Sequence, residues 1–172
     1  MSAGERLAQV RWSVGLAAAL LLAACSTQGA TPGGEASTAV QQDGVHPVSG
    51  LAVIPLTVTG TDGRAHAFRV EVAATGQQQQ RGLMFRTQMG ANEGMIFPLD
   101  RVRMASFWMR NTVIPLDIIF IGPDHKVINI EADAVPYSED SRPSTAPAMA
   151  VLELNGGRAA ALGIGPGASV QW

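Results

Sequence analysis

Two carboxylates and three arginines stand within or beside apolar sequence, and these are the side chains best placed to do chemistry. Asp117 directly precedes Ile118–Ile121, and Glu153 sits within Val151-Leu152-Glu153-Leu154. A carboxylate withdrawn from water is costly unless it is paired or its pKa rises. Arg81, Arg86 and Arg110 are the expected partners, because a guanidinium meets a carboxylate through two hydrogen bonds. If Asp117 and Glu153 face each other across a cleft, they form an acid/base pair of the kind a hydrolase or lyase uses. The ordinary alternative is ion pairing that fixes strand register and loops, and Glu153 can also face water between covered neighbours. Asn111 and Thr112 follow Trp108 and Arg110 in a bend. Both are common turn residues that bond their own backbone, and beside Trp108 both can equally serve a ligand.

Other chemistries find little footing. The chain has no G-x-S-x-G, no phosphate-cradling G-K-[ST], no C-x-x-C and no H-E-x-x-H. Gly163-Ile164-Gly165-Pro166-Gly167 lacks the strand and helix of a dinucleotide loop and reads as a turn. His46, His66 and His125 are too far apart in sequence to suggest a triad or a zinc site, so no metal or cofactor is implied. Met84, Met89, Met95, Met104 and Met109 crowd one third of the chain, and thioethers suit Cu(I) outside the cytosol. They lack M-x-M or M-x-x-M spacing, so core filling is the ordinary explanation.

The elements that must position these residues centre on Ser106–Ile121. Phe107-Trp108-Met109 and Ile118–Ile121 are apolar on consecutive residues, as strands covered on both faces are. Pro115 between them cannot donate to a ladder, so the stretch reads as strand, bend, strand. Upstream, Val53–Thr59 and Ala65–Val72 form a hairpin about Thr61-Asp62-Gly63. Arg69 and Glu71 share one face of the second strand, which points to water. Thr75 caps a short helix running from Gly76 through Gln77–Gln80 to Leu83. Gly94–Leu99 is a strand and Asp100–Arg103 a charged loop. Gly122–His125 is a turn, Val127–Val135 a strand and Tyr137–Pro147 a polar loop. Ala148–Leu154 is a strand, Asn155 caps a brief helix to Ala161, and Ala168–Trp172 is the last strand. About eight short strands with one or two short helices predict a mainly β, sandwich-like or open-barrel single domain over 51–172.

Length and composition fit that domain with an N-terminal extension. Without residues 1–24 the chain carries 10 basic side chains (12 less Arg6 and Arg11) and 13 acidic ones (14 less Glu5), for a formal charge of −3. With no basic stripe, nucleic acid is a poor partner. Val14–Ala24 is apolar but shorter than the roughly twenty residues a membrane span needs, and it suits a secretory signal over 1–24. Leu22-Ala23-Ala24-Cys25-Ser26 resembles the lipobox of bacterial lipoproteins, in which the cysteine is acylated. That resemblance implies a membrane anchor at Cys25, and Ser26 points to the outer membrane. Cys25 is the sole cysteine, so the domain holds no disulfide. Ser26–Gly50 is small and polar, a flexible tether of roughly 25–30 Å root-mean-square span, with His46 solvated in it.

Five segments carry a wider resemblance: Arg81-Gly82-Leu83-Met84-Phe85-Arg86, Gly94-Met95-Ile96-Phe97, Phe107-Trp108-Met109-Arg110-Asn111-Thr112, Ile114-Pro115-Leu116-Asp117 and Val151-Leu152-Glu153-Leu154-Asn155. In order and spacing they resemble the DUF192 (UPF0127) family from about Leu56 to the C-terminus, with Arg110 where lysine is common. The resemblance implies a compact, mainly β domain and supplies no activity. The combined expectation is a lipid-anchored cell-envelope β-domain that binds a polar or anionic ligand or an envelope protein. Its contact surface is formed by Arg81, Arg86, Trp108, Arg110, Asn111, Thr112 and Asp117. A hydrolase or lyase using Asp117 and Glu153, and Cu(I) handling by methionines, are the alternatives.

Overall fold

The computed structural model describes residues 44–172. The expected signal 1–24, the acylation site Cys25 and the tether up to residue 43 lie outside the described residues. In chain order the elements are β1 (Gly44–Val45), β2 (Ala52–Thr59), β3 (Ala65–Val72), α1 (Gly76–Arg81), β4 (Glu93–Arg103), β5 (Ser106–Phe107), β6 (Leu116–Ile121), β7 (Val127–Ala134), β8 (Arg142–Pro143), β9 (Ala148–Asn155), α2 (Arg158–Ala161) and β10 (Ser169–Gln171). An eight-stranded mixed sheet runs β1-β2-β3-β4-β9-β6-β7, with β10 also on β2, while β5 and β8 form a separate ribbon. A lone bridge from Lys126 to Ser169 links the start of β7 to β10, and the sheet curls without closing into a barrel. The mainly β class is as the sequence predicts.

Strand alternation gives the sheet two apolar faces. The first carries Leu56, Phe68, Val70, Ile96, Leu152 and Leu154, and buries Ala159 of α2 and Val170 of β10. The second carries Met95, Phe97, Leu116, Ile118, Phe120 and Val151, covered by Leu83, Met109 and the loops around them. β6 is buried at every position, which is why its sequence is apolar on consecutive residues.

β3 and β4 pair in parallel, with Val70 opposite Gly94, because α1 and the loop after it return the chain to the starting edge. α1 owes its start to a capping box. The Thr75 hydroxyl accepts from Gln78 N, and the Gln78 amide oxygen accepts from Thr75 N at 2.8 Å. None of its side chains is buried. It is tethered instead by Gln79 Nε2, which donates to the carbonyls of Ala73 and Pro98 at 3.1 and 2.7 Å.

Three local expectations change. β4 continues through Asp100–Arg103, past a register shift after Pro98. The expected strand Phe107–Met109 shrinks to β5: Phe107 pairs with Arg142 of β8, Trp108 turns out to solvent and Met109 turns into the second core. Gly44–Gly50, assigned to the tether, lies against the domain instead. β1 pairs with β2, and a turn closes through His46 N to the Leu51 carbonyl at 2.8 Å.

Candidate functional site

Asp117 is fully buried, yet none of the three arginines reaches it. Its Oδ1 accepts from Asp133 N at 2.8 Å and Gly157 N at 2.9 Å, and its Oδ2 accepts from Ala159 N at 2.7 Å. It thereby caps the start of α2, the task the sequence assigned to Asn155. Asn155 instead donates to the carbonyls of Met89 and Gly90 at 3.1 and 3.0 Å. Backbone donors satisfy Asp117 because it opens β6 against the bulged register of β7, where amides converge. It is a structural carboxylate.

Glu153 lies on the other side of the sheet. It stands opposite Ile118 of the second core, whereas Asp117 stands opposite Leu154 of the first. The two carboxyls therefore do not meet across a cleft, and the geometry offers no acid/base pair between them. Glu153 does not face water either: it is 5% exposed, and burial pushes its carboxyl up to about 8. Among the described residues its carboxyl has no hydrogen-bond partner. At neutral pH it is a protonated acid wedged between Met95 and Ile118.

Arg86 pairs with a residue that looked water-facing in the sequence. Its Nη2 lies 2.8 and 3.0 Å from the two carboxylate oxygens of Glu71, both side chains being nearly covered. The cover comes from the segment expected to be free tether. Ser49 Oγ donates to Glu71 Oε2, and His46 Nε2 sits 3.3 Å from Arg86 Nη1 and 3.7 Å from Glu71 Oε1. His46 is thus part of a polar cluster and not solvated. Glu71, Met95 and Glu153 occupy one row across the sheet, so the paired and unpaired carboxyls are roughly 10 Å apart at their backbones.

The remaining predicted residues do come together. Arg81, Trp108, Arg110 and Asn111 line one open cavity of about 360 Å³ with Gln77, Gln80 and Met84. Arg110 lies over Trp108 with its guanidinium carbon 5.6 Å from the ring centre, and Arg81 lies over Phe85 at 5.8 Å. Arg81 has no carboxylate partner among the described residues. Arg110 has only Glu139, at 3.9 Å and well exposed, a pair of little energetic weight. Thr112 is buried beneath, its hydroxyl donating to the Arg110 carbonyl at 3.4 Å.

Three of the five non-glycine residues with positive φ among the described residues lie at this corner, the other two being His125 in the turn after β6 and Asp133 beside Asp117. Phe85, Asn111 and Tyr137 have φ of 62°, 56° and 62°, a left-handed conformation that is unfavourable for aromatic residues. Backbone bonds interlock them: Phe85 N donates to the Asn111 carbonyl at 2.8 Å and Tyr137 N to the Thr112 carbonyl at 3.1 Å. Phe85 and Tyr137 are 60% and 61% exposed and Trp108 is 46% exposed. The fold thus holds three aromatic rings in water, two of them, Phe85 and Tyr137, at a conformational cost.

A family model, DUF192, described as "Uncharacterized ACR", matches residues 57–172. The chain belongs to the DUF192 family. Among solved structures it is similar to a protein of unknown function from Novosphingobium aromaticivorans DSM 12444. That match has 59% identity and a TM-score of 0.75, covering 77% of this chain and 94% of the other. A protein described as a candidate transcription regulator from Sinorhizobium meliloti 1021 is 38% identical. It has a TM-score of 0.69 over 70% of this chain and 94% of that one. No curated protein matches.

Two of the five segments that carry the DUF192 resemblance meet at or beside the Trp108 corner. Arg81, Met84, Phe85 and Arg86 come from one motif, and Trp108, Arg110, Asn111 and Thr112 from another. Sequence reasoning missed Glu71, His46 and Ser49, because nothing in their local pattern reveals partners so distant in sequence. It also passed over Gln77 and Gln80, whose signal was available: a helix of glutamines with no apolar position has nothing to bury. Among the methionines, Met95 and Met109 are fully buried core residues, Met84 and Met89 are partly covered and Met104 is exposed.

Proposed function

We propose that this DUF192 chain is a lipid-anchored envelope protein whose domain binds an anionic, hydroxyl-rich ligand at the Trp108 corner. Two guanidiniums, Arg81 and Arg110, line that cavity with no carboxylate in its wall, and this is the observation that carries the reading. A guanidinium held near an aromatic ring still carries N–H donors that can meet a carboxylate, sulfate or phosphate. The exposed amides of Gln77 and Gln80 offer a donor and an acceptor each, and the strained loops hold the wall in one shape before ligand arrives. The anchor rests on Leu22-Ala23-Ala24-Cys25 behind a short apolar run. Transcription regulation, the role suggested for the Sinorhizobium relative, gains no support from a chain of formal charge −2 without a basic stripe.

Isothermal titration of the folded domain against acidic sugars, peptidoglycan fragments and anionic lipid headgroups tests the reading. The expected result is saturable binding to at least one acidic sugar or fragment, weakened tenfold or more by Arg110→Ala and by Arg81→Ala. Absence of heat across the panel, or binding indifferent to both substitutions, overturns it.

A further inference from the structure

α1 borders three cavities in succession, and the glutamines whose side chains bond nothing among the described residues are among those shared between neighbours. The first cavity, about 450 Å³, holds Arg86, Phe85 and Val48 on its far wall and shares Gln77, Arg81 and Met84 with the Trp108 cavity. The third, about 470 Å³, is lined by Phe107, Leu99, Arg103 and Ser141, and shares Gln80 and Trp108 with the Trp108 cavity. Each is of a size that takes a small ligand.

The four glutamines divide cleanly by role. Gln78 is used in the capping box, and Gln79 ties the helix to Ala73 and Pro98. Gln77 and Gln80 make no hydrogen bond among the described residues, and both are exposed. A helix with no buried side chain gains nothing from apolar packing, so its free amides are not explained by the fold.

We infer that the three cavities form one track along α1 that binds a linear acidic oligosaccharide, with at least one sugar unit in each. This rests on the ligand reading of the Trp108 corner and extends it from a single site to a chain. Free amides match hydroxyls as both donor and acceptor, and Trp108, standing between two cavities, presents apolar ring surface to sugar C–H groups. Guanidiniums recur along the path at Arg81, Arg110 and Arg103, while Glu139 is the one carboxylate in the three walls. That charge sequence suits a polymer with a repeated negative group, and a single small anion leaves most of it unused.

The test is a titration series with galacturonic acid and its dimer, tetramer and hexamer as probes, on the wild-type domain and on Gln77→Ala/Gln80→Ala. Thermal unfolding of the double variant should match wild type, since neither amide bonds within the domain. The expected result is a Kd for the tetramer at least tenfold below that of the monomer, with the ratio of the two falling to about threefold or less in the double variant. Equal affinity for monomer and tetramer, or a length gain untouched in the variant, overturns the track and leaves the single-site reading standing. If no galacturonate binds while another anion of the wider panel does, the acidic-glycan chain is overturned and the corner reading survives. If nothing binds in either experiment, both fall.

Discussion

The two faces of the sheet treat their polar side chains in opposite ways. On the first face Asp117 is buried and all its capacity goes to backbone amides that the fold itself supplies, at Asp133, Gly157 and Ala159. On the second face Glu153 is buried with no partner, Glu71 is held by side chains from remote segments, and α1 above them buries nothing. Phe85 and Tyr137, exposed aromatics with left-handed backbone, lie in loops bonded to Asn111 and Thr112. The contrast teaches where to look for function. A polar group that closes its own local hydrogen bonds serves the fold, whereas groups left over after folding are available for something else.

Removing Asp117 should have the largest effect on stability. Asp117→Ala leaves three amides unsatisfied in a dry site, a loss on the order of 3–5 kcal/mol by analogy with breaking a buried charged group's contacts. Urea unfolding should show the midpoint collapse without a change in cooperativity. If stability drops by less than about 1 kcal/mol while ligand binding is lost, the division between the faces is wrong.

Glu153→Gln should act in the other direction. The folded pKa of about 8 lies above the ordinary 4.5, so the unfolded chain ionises first. Native stability therefore falls as pH rises from about 4.5 to 8. At pH 7 the mismatch spans about 2.5 pKa units, a penalty on the order of 3 kcal/mol. A glutamine keeps the shape of the protonated acid and carries no such penalty. Thermal melts from pH 4.5 to 9 should show the wild type losing stability with pH and the variant staying flat and higher near pH 7. A wild type that is equally stable across this range would mean that the carboxyl is solvated.

How much of this was legible in the sequence depended on the range of the interactions involved. β6, the hairpin of β2 and β3, and the Thr75 cap follow from local pattern and were readable residue by residue. Asp117 was recognised as a buried carboxylate, but not its partners, because backbone amides leave no trace in residue type. Arg86 was rightly seen as needing an acid, yet Glu71, with its alternating neighbours, looked like a solvated strand residue. The corner was found because Trp108, Arg110 and Asn111 are adjacent in the chain and Arg81 belongs to a second recognisable motif. Trp108 was nevertheless expected inside a strand, since three consecutive apolar residues cannot reveal that one of them points outward.

The pair inside the second face sharpens the comparison at smaller cost. Arg86→Lys keeps the charge but cannot bridge both oxygens of Glu71 and reach His46, so a loss of about 1–2 kcal/mol is expected by loss of charge-assisted bonds. Binding of monomeric galacturonate at the Trp108 corner should be little changed in the same variant, as Arg86 lies in the neighbouring cavity and outside that one. Equilibrium unfolding paired with titration of the acidic sugar separates the two outcomes.

The smallest effect on stability should come from the strain itself. Phe85→Gly removes an exposed aromatic from a left-handed position that glycine adopts freely, at φ 62°. Relief of strain of order 1 kcal/mol opposes the extra entropy of the unfolded glycine, of similar size, so unfolding should shift by no more than about 1 kcal/mol either way. Arg81, however, loses the ring it lies over. If the strain is there to hold that guanidinium in place, ligand affinity falls several-fold while stability is unmoved. If Phe85 is merely tolerated, affinity stays at the wild-type value, and the strained loops of the second face lose their claim to be anything more than a consequence of chain connectivity.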